Sequence, residues 1–207
     1  MPGRSILMID RGDLPSLVAV ALQPDPERLI LYHRGESDAA AKRRAAAVQD
    51  HDAAYGVQRV IVCEPGSPGI SDHEAAIPTG LEQAHLLLHA VVAASQLGCS
   101  KIVWPTQVGP DAGLVGVIVQ RANMVVDLAR IGIEPAGGGC PVIDLPVVDL
   151  TDKQLVDLAE DTGAPMRSFW PCDGDGESPC GSCPSCQRWP RAFDEAGVPW
   201  PWAAVGV

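Results

Sequence analysis

Four cysteines near the end of the chain have the spacing of metal ligands. They are separated by seven, two and two residues, at Cys172, Cys180, Cys183 and Cys186. The two-residue gaps allow neighbouring thiolates to turn onto one ion, and the seven-residue loop brings in the fourth. Four thiolates around Zn²⁺ make the closed, structural type of site, which leaves no coordination position for water. The spacing therefore predicts a structural zinc centre.

Two alternatives to zinc stay open from the sequence alone. An iron–sulfur cluster also takes four cysteine ligands, and free or disulfide-bonded thiols would need no metal. Disulfides are disfavoured because the N-terminal residues 1–4 lead into a short apolar run without a signal-peptide layout, which predicts a reducing, cytoplasmic location. The acidic loop at residues 173–177 resembles the start of a calcium loop but lacks its later ligands. We expect this loop to be solvated.

Five further side chains have types that could do chemistry or bind a partner. His85 and His89 are four residues apart, which can hold a metal on a helix, but helix packing is favoured because no H-E-x-x-H motif is present. Cys63 would be reactive if exposed, although a small buried hydrophobe is the favoured role. Trp200 and Trp202 could dock on another chain or cover the body of the domain.

Short apolar runs alternate with longer helical stretches over most of the chain. The predicted strands cover residues 5–9, 28–32, 59–63, 101–104 and 141–145, and the predicted helices cover residues 14–22, 38–55, 79–97, 114–131 and 151–162. This alternation is typical of right-handed βαβ units. Continuously apolar strands indicate a sheet covered on both faces. We therefore predict an α/β, Rossmann-like fold with a parallel sheet and helices on both faces.

Capping residues and prolines mark where these elements end. Asp13 is the predicted N-cap of the first helix, Gly56 the C-cap of the second, and Thr79 with Glu82 a capping box for the third. After residue 167 prolines become frequent and are expected to break up any long element. The prediction is an α/β domain at residues 1–167 and a zinc-binding tail at residues 168–207 packed on it as one structural unit.

Composition excludes several classes of protein. The 207 residues contain 26 acidic and 15 basic side chains, for a formal net charge of -11. Such a surface repels phosphate backbones, so general nucleic-acid binding is not expected. No apolar run approaches the roughly 20 residues that span a bilayer, so no membrane partner is expected either.

Three runs in the tail resemble the C-terminus of the 7-cyano-7-deazaguanine synthases. They read Trp170-Pro171-Cys172, Cys180-Gly181-Ser182-Cys183-Pro184-Ser185-Cys186-Gln187-Arg188 and Ala192-Phe193-Asp194-Glu195-Ala196-Gly197-Val198. That family has W-S-C, C-G-x-C-x-x-C with a following Arg, and A/G-F-x-x-A-G-V, so Pro171 is the one departure in this stretch. The resemblance implies a PP-loop ATP pyrophosphatase fold of the adenine nucleotide alpha hydrolase-like type with structural zinc, commonly as a homodimer. It also implies a C–N ligase reaction of queuosine biosynthesis, in which ATP and ammonia convert 7-carboxy-7-deazaguanine to the nitrile.

The chain departs from the family pattern where ATP should bind. The family has an S-G-G-x-D-S loop after the first strand, whose backbone amides cradle pyrophosphate. This chain has D-R-G-D-L-P-S at residues 10–16, so the candidate nucleotide-binding residues are Asp10, Gly12, Asp13 and Ser16. A carboxylate at Asp10 repels phosphate, and Leu14 replaces the metal-supporting Asp. ATP and Mg²⁺ binding are therefore predicted to be degenerate.

Two further departures lie elsewhere in the predicted reaction centre. The run at residues 78–81 lacks the Arg and Asn of the family's P-x-R-N, and Asp111 is not followed by Asp-Cys-Arg. Two hypotheses result. One is a synthase-like enzyme that acts on a deazaguanine and binds its nucleotide over residues 10–16. The other is a non-catalytic, zinc-stabilised binding or scaffold subunit that uses its acidic surface or Trp-bearing tail on a protein partner.

Overall fold

The sheet has five strands, all parallel, and in chain order the third lies at one edge, followed by the second, first, fourth and fifth. The computed structural model describes residues 5–35, 39–63, 79–132 and 139–203. Its strands are β1 (Ile6–Ile9), β2 (Leu29–Arg34), β3 (Arg59–Cys63), β4 (Lys101–Val103) and β5 (Val142–Asp144). Residue Leu7 of the central strand lies opposite Ile30 on one side and Ile102 on the other. The chain crosses over between β3 and β4, which confirms the predicted Rossmann-like α/β architecture.

Six α-helices lie in the described part of the chain, besides a short 3-10 helix at Pro26–Arg28. They are α1 (Leu14–Ala21), α2 (Ala41–Tyr55), α3 (Thr79–Gln96), α4 (Ala112–Gly132), α5 (Asp152–Asp161) and α6 (Pro184–Ala196). The predicted N-cap Asp13 accepts a hydrogen bond from the Ser16 amide, and Gly56 ends α2 in the left-handed conformation at φ 61°. Helix α3 already includes Thr79. The residue before it and Asp38, the predicted start of the second helix, lie outside the described residues.

Helix α6 corrects the expectation that prolines break up the tail. It runs for 13 residues with Pro190 inside it. The cost of an internal proline, about 3 kcal/mol, is offset because Trp189 and Phe193 are buried on the inner face of the helix. The start of the helix is also well formed. Pro184 lies in its first turn, and the Cys183 side chain caps it by accepting a hydrogen bond from the Cys186 amide.

Buried side chains fill both faces of the sheet. Leu7 and Ile9 point into a core formed with α3 and α4, whereas Met8 packs with residues of α1 and α2 on the opposite face. A further cluster joins α1 and α5 to the aromatic side chains of the tail, Phe169, Trp189 and Phe193. The tail therefore contributes to a shared core instead of forming one of its own.

Helix α4 is covered on one side only. Its inner face buries Ile118, Ala122, Val125 and Val126. Its outer face exposes large apolar side chains, at Leu114, Val117, Met124, Leu128 and Ile131. By length and composition this helix could cross a membrane, with 22 % of its most apolar segment buried, which the sequence interpretation did not predict. Because Arg121 and Asp127 lie within it and its inner face packs on the body, a surface helix is favoured.

Candidate metal centre and adjoining cavity

The four tail cysteines converge on one point. Their sulfur atoms all lie within 4.8 Å of one another, with 3.9 Å between the sulfurs of Cys180 and Cys186 and 4.0 Å between those of Cys172 and Cys183. Four thiolates bound to a single zinc at about 2.3 Å would be about 3.8 Å apart. The arrangement therefore has the dimensions of a site for one metal ion.

Backbone amides surround these sulfurs with hydrogen-bond donors. The Gly174 and Cys180 amides donate to Cys172 Sγ at 3.3 and 3.4 Å, and the Cys183 amide donates to Cys180 Sγ at 3.4 Å. Burial raises the pKa of Cys183 and of Cys186, whereas hydrogen bonds from the Ser182 hydroxyl and amide and from the Cys183 amide lower the pKa of Cys180 to about 6. Such donors favour the thiolate that a metal requires. The residues present therefore fit a tetrahedral thiolate-bound metal.

The loop at residues 10–16 is closed by its own side chains. The Gly12 amide donates to Asp10 Oδ1 at 2.8 Å. The Ser16 amide and hydroxyl donate to Asp13 Oδ1 at 3.0 and 2.6 Å, and the Arg11 amide donates to Ser16 Oγ at 3.1 Å. Three amides that a pyrophosphate cradle would offer are thus already bonded within the protein. This loop does not fit the phosphates of ATP.

Gly12 is required by packing. Its φ is 68°, and a Cβ at this position would lie 2.3 Å from the Arg44 carbonyl oxygen at the start of α2. On its other side the Gly12 carbonyl accepts a hydrogen bond from the Trp170 amide at 2.8 Å. The glycine therefore allows close contact of the loop with α2 and with the tail.

Asp10 is buried and paired with a histidine that the sequence interpretation missed. His51 Nδ1 donates to Asp10 Oδ2 at 2.8 Å, and His33 Nδ1 donates to the Asp10 carbonyl at 2.8 Å. Burial acts to lower the pKa of His51, but the Asp10 charge and hydrogen bond, aided by Asp13 and Asp50, outweigh it and raise that pKa. The one sequence signal that could have indicated a buried His51 was helical spacing, because His51 lies four and three residues after Ala47 and Val48, the other buried residues of α2.

A cavity of about 330 Å³ opens at the carboxyl ends of β1 and β4. The loop after β1, the segment after β4 and the metal-binding tail line it, with side chains that include Arg11, Asp13, Trp104, Thr106, Gln107, Trp170, Cys172, Asp173 and Arg188. In open α/β sheets, ligands bind in this crevice at the carboxyl ends of the strands. Asp13 is the one candidate nucleotide-binding residue that reaches the cavity wall, because Asp10 and Ser16 are buried.

Arg188 ties three segments together beside this cavity. Its Nε and Nη2 donate to the two Asp152 carboxylate oxygens at 2.8 and 2.6 Å, and Nη2 also donates to Gln107 Oε1 at 2.7 Å. Hydrogen bonding to Arg188 lowers the pKa of Asp152. The guanidinium also lies 4.6 Å from the centre of the Trp189 ring. The network joins α6 to α5 and to the segment after β4.

The histidine pair on α3 does not have the contacts of a metal site. His85 Nε2 and His89 Nε2 are 3.0 Å apart, and Arg34 Nη1 donates to His85 Nδ1 at 2.9 Å. Since Arg34 is always a donor, the proton of neutral His85 lies on Nε2, directed at His89. Burial, followed by the charges of Arg34 and His89, lowers the pKa of His85. His89 is exposed, so it does not have the packed position expected for it.

The other candidate residues have structural roles. Cys63 is half-buried against the core of the α3 face, as expected for a small hydrophobe. Trp200 packs edge-on against Phe193 at 5.1 Å and Trp202 against Trp170 at 5.5 Å between ring centres, so both tryptophans cover the body. Asp111 accepts hydrogen bonds from the Gly113 and Leu114 amides at the start of α4.

Comparison with known families agrees with the resemblance in the tail. The model of the family described as queuosine biosynthesis protein QueC matches residues 84–197. The chain belongs to this family. The matched part of this QueC-family protein includes the four cysteines and Arg188, whereas the loop at residues 10–16 lies outside it.

Curated relatives of the QueC-family protein are 7-cyano-7-deazaguanine synthases. That of Methanothrix thermoacetophila is 44% identical over 61 residues, which are 30% of this chain and 27% of the relative. That of Acidobacterium capsulatum is 32% identical over 113 residues, which are 55% of this chain and 48% of the relative. The alignments thus span between about a quarter and a half of these relatives' length.

Solved structures confirm the predicted adenine nucleotide alpha hydrolase-like fold. NMN synthetase from Francisella tularensis superimposes with a TM-score of 0.53 at 13% identity, over 96% of this chain and 74% of that one. The U34-tRNA thiolase NcsA from Methanococcus maripaludis, solved with its [4Fe-4S] cluster, gives 0.50 at 16% identity, over 93% and 64%. At these identities the likeness establishes the fold alone.

Proposed function

We propose that this QueC-family protein binds a 7-deazaguanine in its cavity and does not carry out the ATP-dependent step. The observation that carries the proposal is the closed loop at residues 10–16, in which Asp10 and Asp13 already bind the Gly12 and Ser16 amides. A phosphate there would have to displace both carboxylates and would be repelled by them. The ligand class is supported by the relatives, which are named 7-cyano-7-deazaguanine synthases.

The lining of the cavity suits a flat, polar heterocycle. Trp104 and Trp170 supply aromatic surface, Thr106 supplies a polar group, and Arg188 places its guanidinium, paired with Asp152, at the wall. A volume of about 330 Å³ lies at the small end of the range for ligand sites, about 300–1,000 Å³. These features favour one ring system over a nucleoside triphosphate.

Calorimetry on metal-replete protein tests the proposal directly. We expect binding heat with 7-carboxy-7-deazaguanine or 7-cyano-7-deazaguanine, no heat with ATP and Mg²⁺, and no nitrile product by mass spectrometry. Arg188→Ala should weaken heterocycle binding, whereas Arg191→Ala, on the same helix but outside the cavity lining, should not. ATP binding with nitrile formation would restore the catalytic hypothesis. No binding of any probe would favour the scaffold subunit instead.

Zinc is the metal that we propose for the four-cysteine centre. In a [4Fe-4S] cluster each of four irons binds a separate cysteine, so the sulfurs stand apart around the cluster. Here the sulfur separations of 3.9 and 4.0 Å match the edges of a tetrahedron around one ion. Zinc would have a structural role, because four thiolates leave no open position.

A homodimer is proposed through the outer face of α4. Its exposed apolar side chains lie three, seven, four and three residues apart, at Leu114, Val117, Met124, Leu128 and Ile131, which is the spacing of helices that pair along a seam. An exposed apolar stripe of this length is typical of an interaction surface. Together with the acidic composition, the proposal describes a soluble, cytoplasmic protein whose apolar helix is covered by a second copy.

A further inference from the structure

The metal-binding tail and the loop after β1 both line the cavity and are joined by a backbone hydrogen bond. The Trp170 amide donates to the Gly12 carbonyl at 2.8 Å, and Cys172 follows Trp170 by two residues. In the residue after the metal-binding Cys172, Asp173 Oδ1 lies 3.8 Å from Arg44 Nη2. The Arg44 carbonyl is the group against which Gly12 packs. The tail therefore contacts both the loop and the start of α2.

Trp170 is placed by contacts that come mostly from the tail. Its Nε1 donates to the Gly174 carbonyl at 3.0 Å, within the loop between two cysteine ligands. Its ring packs against Trp202 at 5.5 Å, and the Arg43 guanidinium lies 5.3 Å from its centre. The position of Trp170 thus depends on the fold of the metal-binding loop.

We propose that the metal centre controls whether the cavity is formed. Bound metal fixes the 172–186 segment, which holds Trp170 against Gly12 and so adds to the internal hydrogen bonds that keep the loop at residues 10–16 closed. Without metal the segment loses the binding free energy that folds it, and both walls of the cavity are released. The inference rests on the proposed function for the ligand of the cavity, but its test needs no ligand.

Reciprocal effects follow from this coupling. If metal stabilises the closed loop, a change that opens the loop must weaken metal binding by the same factor. A cavity ligand that contacts both walls must in turn strengthen metal binding. The four-cysteine centre would then regulate ligand binding in addition to stabilising the tail.

Amide hydrogen exchange followed by NMR tests the proposal on the full chain. The metal-replete protein is compared with protein treated with a chelator, and metal is then added back. We expect exchange at the Arg11, Gly12, Ser16 and Trp170 amides to accelerate by about tenfold or more without metal and to recover on reconstitution. Amides in the interior of α3 and α4 should keep their protection.

Two results would overturn the coupling. In one, the 172–186 segment exchanges rapidly while the loop amides stay protected, which would show that the metal folds the tail alone. In the other, α3 and α4 lose protection as well, which would show that the whole fold requires the metal.

A glycine substitution tests the reverse direction. In Gly12→Ala the new Cβ would meet the Arg44 carbonyl at 2.3 Å, which forces the loop away from α2 and Trp170 without touching a cysteine. We expect the affinity for Zn²⁺, measured by competition with a chelator, to fall by about tenfold. Gly116→Ala is the matched control, because nothing lies within 4 Å of its added Cβ. Unchanged zinc affinity in a folded Gly12→Ala protein would contradict the proposal.

Discussion

His51 Nδ1 donates to Asp10 Oδ2 at 2.8 Å, and both side chains are fully buried. Asp10 lies directly after β1, where the glycine-rich loops of nucleotide-binding α/β folds in general present backbone amides to phosphate. Here the Asp10 carboxylate takes the Gly12 amide for itself, and its charge and hydrogen bond raise the pKa of His51. The protein thus carries a buried carboxylate paired with a histidine at the position of a phosphate-binding loop.

Removing His51 should be strongly destabilising. In His51→Ala the Asp10 carboxylate is left buried without a counter-charge, which typically costs about 3–5 kcal/mol. Urea unfolding should show this loss as a lower midpoint with little change in slope. His89→Ala is the matched control, because His89 is exposed. A loss below about 1 kcal/mol for His51→Ala would show that the pair does not hold the loop.

Stability should fall as the pH rises above the ordinary pKa of histidine, about 6.5. The pKa of His51 is raised in the folded protein, so folding favours its protonated form. That contribution is fully present below the unfolded value of about 6.5 and is lost as the pH rises through the folded pKa. Urea unfolding at a series of pH values between about pH 6 and pH 9 measures how the free energy of unfolding changes with pH. His51→Gln should remove this decrease. An identical slope in the variant would assign the pH dependence to other groups.

The sequence is informative where contacts are local. The Asp13 cap, the strand runs and the close cysteine spacing depend on neighbours along the chain, and the structure contains each of them. The Asp10–His51 pair joins residues 41 apart, and α2 must pack over β1 before they meet. No local pattern encodes such a contact.

Helix α6 was mispredicted for a related reason. Local propensity counts Pro190 against a helix, whereas burial of Trp189 and Phe193 against α1 and α5 decides the outcome. The exposed face of α4 was equally hidden, because a sequence does not show which side of a long apolar helix remains uncovered. Tertiary packing, which local patterns do not report, settles both cases.

Elemental analysis should find about one zinc per chain, as expected for four thiolates around a single ion. Cys183→Ser should lose the metal and unfold the tail, because structural metal binding supplies folding free energy. Cys140→Ser, a half-buried cysteine outside the cluster, should retain both metal and fold. Iron with visible absorbance would show that the centre holds an iron–sulfur cluster instead.

A charge on the outer face of α4 should dissociate the proposed dimer. The double variant Met124→Glu with Leu128→Glu places two carboxylates on the exposed apolar stripe. Dimer formation would bury these charges without a counter-charge, which is strongly unfavourable. Light scattering coupled to size exclusion should give twice the 21.7 kDa chain mass for the unchanged protein and the single-chain mass for the variant. Leu22→Glu is the control, because Leu22 is an exposed apolar residue that follows α1 on the other face of the sheet. A monomeric unchanged protein would exclude α4 pairing, and a dimeric variant would place the interface elsewhere.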